Sequence, residues 1–479
     1  MLRIPLLRAG RPYRSLEGLC LHDVGTGDPV AEVSQANRGL IAKDLEAAAD
    51  HRKALRKLPV SEILAVLKRA AVLFAEKDLP VDPLDGVEQS PEDYVRHLSA
   101  TTGMPRSLCR ANMEKIRFVM AEMETVLGGL TRGLDLSILD AGWSSGERNV
   151  SYLSRTDSLG AVLPSNSPGV HSLWLPAIGL KVPVALKPGG EEPWTPFRIA
   201  QALMAAGCPS QAFGFYPSDH SGAAEILLRC RRSMLFGDAS TVGSWKEDRS
   251  VQVHGPGYSK VLFGEDRMAS WEHDVDLVIA SIAENGGRSC LNASGIWVPS
   301  QGREIAAALA GQLVKIDAKP MEDPQARLAA FPRPEVAHRI SGFIDRQLQV
   351  PGAEDVTAPL RQAGRVVERQ GCTFLLPTLI RCDDPEHPLA RQEFLFPFAT
   401  VVEVPQREML ARIGPTLVAT AITEDGEFRR ALMDSRMVDR LNLGRFPTSR
   451  VSWDQPHEGN LFEHLYRQRA FQTEQAVSH

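Results

Sequence analysis

Apolar residues recur along this chain at two spacings, and the changes between them mark out its elements. Residues 18–34 alternate and turn at Gly25-Thr-Gly-Asp28, which predicts a hairpin. From about 36 to 130 the spacing becomes helical. Leu64, Leu67, Ala71 and Phe74 fall on one face, and Met113, Ile116, Met120, Met123 and Leu127 on another. The methionine stripe reads as core rather than as a cofactor surface. Ser90 followed by Pro91 predicts a capped helix start. After a Gly-, Ser- and Asp-rich stretch at 130–150, residues 148–155 alternate like a strand. From 160 onward, strands and helices take turns. Short apolar strands are predicted at 182–186, 234–236, 260–263 and 296–298. Helices are predicted from Thr195-Pro196 to Gly207, through Val275, Val278, Ile279 and Ile282 to Gly286-Gly287, and through Ile305, Leu309 and Leu313. Such alternation predicts parallel sheets with helices on their faces, an α/β class. The pattern breaks near 254, at His254-Gly-Pro-Gly257, and again near 436–445.

At 479 residues the chain is long enough for two or three domains, each with its own core. A net charge of −5 without a basic run argues against nucleic-acid or anionic-membrane partners. No run of about 20 apolar residues is present, so no membrane span is expected. The opening eight residues are too soon interrupted for a signal peptide. Seven scattered cysteines without a C-x-x-C pair argue against a disulfide framework or a zinc site and fit a reducing cytoplasm; no metal site is expected.

Four positions carry candidate chemistry. Cys290 ends the stretch Asn285-Gly-Gly-Arg-Ser-Cys290, where two glycines let backbone approach a substrate. Its thiolate, not its thiol, would attack carbonyl carbon. Asn166, between Pro164 and Pro168, is an amide that could face developing negative charge, or form a local turn. Lys187 ends an apolar strand, where α/β sheets bind ligands. Glu393 sits among aromatics in Gln392-Glu-Phe-Leu-Phe-Pro397 and could grip a ribose diol. The turn Gly237-Asp-Ala-Ser-Thr-Val-Gly243 follows a strand and opens a helix, a place for phosphate or simply a capped start. No G-x-G-x-x-G fingerprint follows the predicted strands, so an ordinary Rossmann assignment is unsupported.

Taken in order, these segments resemble the NAD(P)-dependent aldehyde dehydrogenase superfamily over roughly residues 18 to 440. Leu163-Pro-Ser-Asn-Ser-Pro168 is similar to the family's Pro-Trp-Asn-x-Pro segment, and Leu186-Lys-Pro188 to its Lys-Pro-Ser-Glu. Phe236-Gly-Asp-Ala-Ser-Thr-Val-Gly243 is similar to its cofactor turn, Asn285–Cys290 to its catalytic segment, and Gln392–Pro397 to its Glu-Glu-Ile-Phe-Gly-Pro. The resemblance implies two parallel-sheet α/β domains and a small β oligomerisation arm. The nucleotide-binding domain would comprise 1–130 and 155–253, the catalytic domain 254–435, and the arm and tail 131–154 and 436–479. It implies Cys290 as nucleophile and Asn166 as oxyanion donor. Lys187 and Glu393 would hold the two riboses of NAD or NADP, and Ser240 and Gly243 would face the pyrophosphate. It further implies an aldehyde substrate, a thioester on Cys290, and a homodimer or homotetramer.

Five departures qualify that picture. The water-activating Glu of the family falls on Val253, with His254 one residue along. A strand turns neighbouring side chains to opposite faces, which counts against His254 as a substitute base. The Trp beside the oxyanion Asn is Ser165. Asp238 stands where the family has Gly in the cofactor turn, and Phe396 stands for another Gly. The family's Pro-Phe-Gly-Gly segment is replaced near the end by Pro447-Thr-Ser-Arg-Val-Ser-Trp453 and Gln455-Pro-His-Glu-Gly-Asn460. Loss of the Glu leaves three readings: release of carboxylic acid through another base, transfer of the acyl group to CoA, or a non-catalytic scaffold. The ribose-selecting carboxylate falls near Gly190-Glu191-Glu192, which leaves NAD and NADP both open.

Overall fold

The computed structural model describes residues 1–145 and 149–472. The start of the strand expected at 148–155 lies outside them, as do residues 473–479. The predicted hairpin is present as Gly18–His22 paired antiparallel with Pro29–Ser34. The helical stretch contains Val60–Glu76, Pro91–Thr102, Arg106–Ala121 and Met123–Leu130. Ser90 caps the second of these by accepting from the Asp93 N–H at 3.0 Å. The methionine stripe is core: Met113, Met120 and Met123 all pack into the largest apolar cluster.

Two seven-stranded sheets organise the rest. In the first, Leu159–Val162 is an interior strand, parallel to Val184–Lys187 on one side and Arg232–Phe236 on the other. Val251–His254 extends it in parallel, and the N-terminal strands Leu6–Arg8 and Arg11–Tyr13 close the opposite edge antiparallel. In the second, Ser259–Phe263 runs parallel to Ala293–Val298 and Thr416–Ile422. Phe398–Glu403 and Thr378–Cys382 continue in parallel beyond Ala293–Val298. Val438–Leu443, within the tail segment, adds a further parallel strand to this sheet. Central strands of both sheets are buried on both faces, as parallel strands covered by helices must be. A separate three-stranded sheet joins Trp143–Ser145, Asn149–Ser154 and Tyr466–Arg469.

The helix opened by Thr195-Pro196 begins one residue earlier, at Trp194. Its first-turn N–H is capped not by Thr195 but by Glu192, whose Oε1 accepts from Thr195 N at 2.9 Å. The helix after the Phe236 strand is only five residues long, Ala239–Gly243. Among the described residues no helix is long and apolar enough to cross a membrane.

Candidate functional site

Cys290 follows a turn that few sequences can make. Asn285, Gly286 and Gly287 all have positive φ, at 54°, 69° and 69°. Glycine adopts this region freely, and asparagine tolerates it when its side chain is fixed. Here it is fixed at both ends. Asn112 Nδ2 donates to Asn285 Oδ1 at 2.8 Å, and Asn285 Nδ2 donates to Ser167 Oγ at 3.0 Å. Asn112 Oδ1 also accepts from Gly169 N at 3.1 Å. One amide pair therefore ties the turn before Cys290 to the Arg106–Ala121 helix and to the Asn166 loop. Beyond the turn, Arg288 is buried over the Phe331 ring and donates to the Thr102 and Ala330 carbonyls. The Cys290 carbonyl accepts from Ser259 Oγ at 2.8 Å. It also lies so near Gly257 that a Cβ there would meet it at 2.2 Å.

Cys290 sits in the wall of a cavity of about 470 Å³ whose lining comes from both sheets and from the tail. Asn166, Phe236, Asp238, His254 and Glu393 line it, as do Lys115, Trp453, His457 and Glu458. The structure thus brings Cys290, Asn166 and Glu393 together. It leaves Lys187 at its strand end, and Ser240 and Gly243 on the short helix, outside that wall. Asn166 Nδ2 donates to the Arg288 carbonyl at 2.7 Å, which aims the amide at the turn before Cys290 and leaves its second N–H for a ligand. Glu393 accepts from Tyr258 N at 2.6 Å and from Gly257 N at 3.2 Å. Burial outweighs those bonds and raises its carboxyl from the ordinary 4.5 to about 7.

Burial pushes the Cys290 thiol well up. The Glu458 and Glu393 carboxylates add to that rise, and the Lys115 ammonium opposes it. Lys115 itself lies over the Trp453 ring, 5.5 Å from its centroid, and burial lowers its pKa. Burial likewise lowers Lys187, against the pull of Glu191 and Asp219. Of the two carboxylates after Gly190, Glu192 is committed to the fold. It accepts from His171 Nε2 at 2.8 Å as well as from Thr195. Glu191 faces the cavity.

The fit of a dinucleotide differs along its length. At the cavity end, Glu393 keeps lone pairs free for hydroxyls next to Cys290. At the turn, the Asp238 side chain already accepts from Thr241 N at 2.8 Å and from Ser240 Oγ at 2.7 Å. Those bonds hold its carboxyl below the usual range, Ser240 most strongly. A fixed negative charge thus stands where the cofactor turn would meet pyrophosphate.

Sequence reasoning missed the tail and the Asn112–Lys115 edge of the methionine-stripe helix. The Pro- and His-containing segment 447–460 was itself a signal, since it replaced a family motif. Asn112 and Lys115 were masked by the stronger apolar stripe beside them.

The sequence profile of the aldehyde dehydrogenase family matches residues 19–414. The chain is 25% identical over 334 residues to 2-hydroxymuconic semialdehyde dehydrogenase of Pseudomonas sp. (strain CF600), covering 65% of this chain and 64% of that protein. It is 24% identical over 300 residues to aminoacetaldehyde dehydrogenase of Pseudomonas aeruginosa, covering 58% and 57%. The matches thus span less than two thirds of these relatives' lengths. Among solved structures, aldehyde dehydrogenase KauB from Pseudomonas aeruginosa superposes with a TM-score of 0.79 at 15% identity, covering 98% of this chain and 96% of the other. The indole-3-acetaldehyde dehydrogenase AldA of P. syringae, solved with NAD+, gives the same figures. The α/β architecture of two mostly parallel sheets is therefore the fold these enzymes share.

Proposed function

The chain belongs to the aldehyde dehydrogenase family, and from that premise we propose that it oxidises an aldehyde with NAD+ or NADP+ and releases the carboxylic acid. The observation that carries this reading is the junction at Cys290. One cavity places a thiol, the Asn166 amide and the Glu393 carboxyl on a common wall. Sγ gives its proton to solvent water and bonds to the aldehyde carbon, giving a thiohemiacetal whose oxyanion meets the free Asn166 N–H and the Cys290 backbone N–H. Nicotinamide, when bound, supplies the acceptor for the hydride that leaves this carbon. Glu393 would orient its ribose, Lys187 would hold the adenosine ribose, and Ser240 and Gly243 would face the pyrophosphate. What remains on Cys290 is a thioester. The small three-stranded sheet supports a homodimer or homotetramer.

Asp238 predicts weak dinucleotide affinity. Asp238→Asn keeps the cap on Thr241 and removes the charge, so dinucleotide should bind about fivefold more tightly at low salt, with the gain shrinking as salt rises. A fluorescence titration reads this directly, and equal affinity at low salt would contradict it.

Transfer to CoA is the second reading, favoured by Val253 at the position of the family's base. An aldehyde panel with NAD+ or NADP+, run with and without CoA and with products identified by mass, tests both. Free acid at a CoA-independent rate is expected. A requirement for CoA with acyl-CoA as product would replace the first reading with the second. Cofactor binding without any turnover would favour a scaffold.

A further inference from the structure

We propose that His254, oriented by Glu458 of the C-terminal tail, is the base that activates water to release the acyl group from Cys290. This rests on the acid-forming reading above. His254 pairs with Phe236 across parallel strands and Val253 pairs with Leu235, so the two residues face opposite sides of the sheet. Val253 packs on the apolar side with Val162, Leu227, Leu235 and Val242. His254 is on the other side and shares the cavity wall with Cys290. Parity therefore points the histidine, not the residue in the family's Glu position, at the site.

The imidazole is held in one tautomer and one plane. It is 5% exposed and stacks on Phe236 with centroids 4.3 Å apart and planes 9° from parallel. Its Nδ1 is 2.5 Å from Glu458 Oε2. A carboxylate can only accept, so Nδ1 carries the hydrogen and Nε2 presents a lone pair. Nε2 is buried and has no hydrogen-bond partner among the described residues. Such an orphaned acceptor is costly unless it serves a ligand or a reacting water. Glu458 is placed in turn by Gln252, whose Nε2 donates to the Glu458 carbonyl. Near His254 also stand His457 and His464 from the tail, with Arg232 beside His464, Arg440 2.8 Å from His457 Nδ1, and Lys115 on the same cavity wall. Burial pushes both histidines down, His464 to about 4, so neither adds positive charge near neutral pH.

The step balances without an oxidant. Water oxygen bonds to the thioester carbon as its proton passes to Nε2. The C–Sγ bond then breaks, the proton on Nε2 moves to sulfur, and the acid ionises into solvent. Glu458 is a positioning residue; it touches neither substrate nor water.

An aryl acetate ester tests this without aldehyde or cofactor. Mixing p-nitrophenyl acetate with the parent enzyme should give a burst of one nitrophenolate per site, then steady turnover. In His254→Ala, nitrophenolate should reach one equivalent and stall, with deacylation slowed about 10²–10⁴-fold. The acetyl group should accumulate on Cys290 by intact mass, and added imidazole should restore turnover. Glu458→Gln leaves the stacked ring in place. Without the carboxylate the ring is no longer held in the tautomer that turns the Nε2 lone pair toward water, so deacylation should slow about 10-fold or more while the burst keeps the parent rate. A merely structural Glu458 would slow burst and deacylation together. Parent-rate deacylation in His254→Ala or in Glu458→Gln, or equal slowing of both phases in Glu458→Gln, overturns the dyad and leaves Cys290 as nucleophile. A parent enzyme without a Cys290-dependent burst overturns the nucleophile and the dyad together.

Discussion

Replacing Cys290 with alanine should lower aldehyde-dependent reduction of nicotinamide by about 10⁴-fold or more. No other thiol can take over. Cys109, Cys208, Cys230, Cys372 and Cys382 are buried away from the cavity. Cys20 is exposed, but on the N-terminal hairpin. Among the lining residues of the cavity, Cys290 is the single cysteine. Serine at this position should be nearly as inactive, because a hydroxyl is a far weaker nucleophile than a thiol near neutral pH. Steady-state rates with the best aldehyde of a panel, together with dinucleotide titration of both variants, check the result. Retained turnover in the alanine variant would mean that the reaction is not thiol-dependent.

Replacing Gly287 with alanine should cost about 3–5 kcal/mol of stability and about 10²-fold in kcat/KM. Two penalties add. At φ +69° an L side chain is strained, by about 1–2 kcal/mol. The new Cβ would also stand 2.4 Å from Phe396 C and from Pro397 N. Those atoms are backbone and cannot swing aside as a side chain would. Relief therefore has to come from the turn itself, three residues before the sulfur. Gly311→Ala is the contrast. It lies inside the Gly302–Leu313 helix with nothing within 4 Å of its Cβ position, and should stabilise by about 0.5–1 kcal/mol. Chemical denaturation of the three proteins reads the stabilities. An active, parent-like Gly287→Ala enzyme would contradict the close approach.

The same contrast explains what could be read from the residues alone. Periodicity reports local burial, so the strands around Leu186, Leu235, Val261 and Ile296 were legible, as was the turn before Cys290. Partners far apart in sequence leave no such mark. Nothing near Thr195 announces that Glu192 caps its helix, and nothing near Asn285 announces Asn112. Strand parity was legible at Val253 and His254, but not which face the cavity would occupy. That depends on an irregular tail segment folding back to line it with Trp453, His457 and Glu458. The departures from the family pattern were the useful signal. The missing Glu and the altered terminal segment meet at one place, where His254 contacts Glu458.

The proposed reaction passes through a covalent acyl intermediate on one sulfur. Rapid acid quench of enzyme mixed with aldehyde and oxidised dinucleotide, followed by proteolysis and peptide mass mapping, tests it most directly. The expected result is an acyl adduct on the peptide containing Cys290, formed together with reduced nicotinamide and more abundant in His254→Ala. Reduced nicotinamide appearing with no adduct at Cys290 in that variant, or with the adduct on another residue, would contradict it.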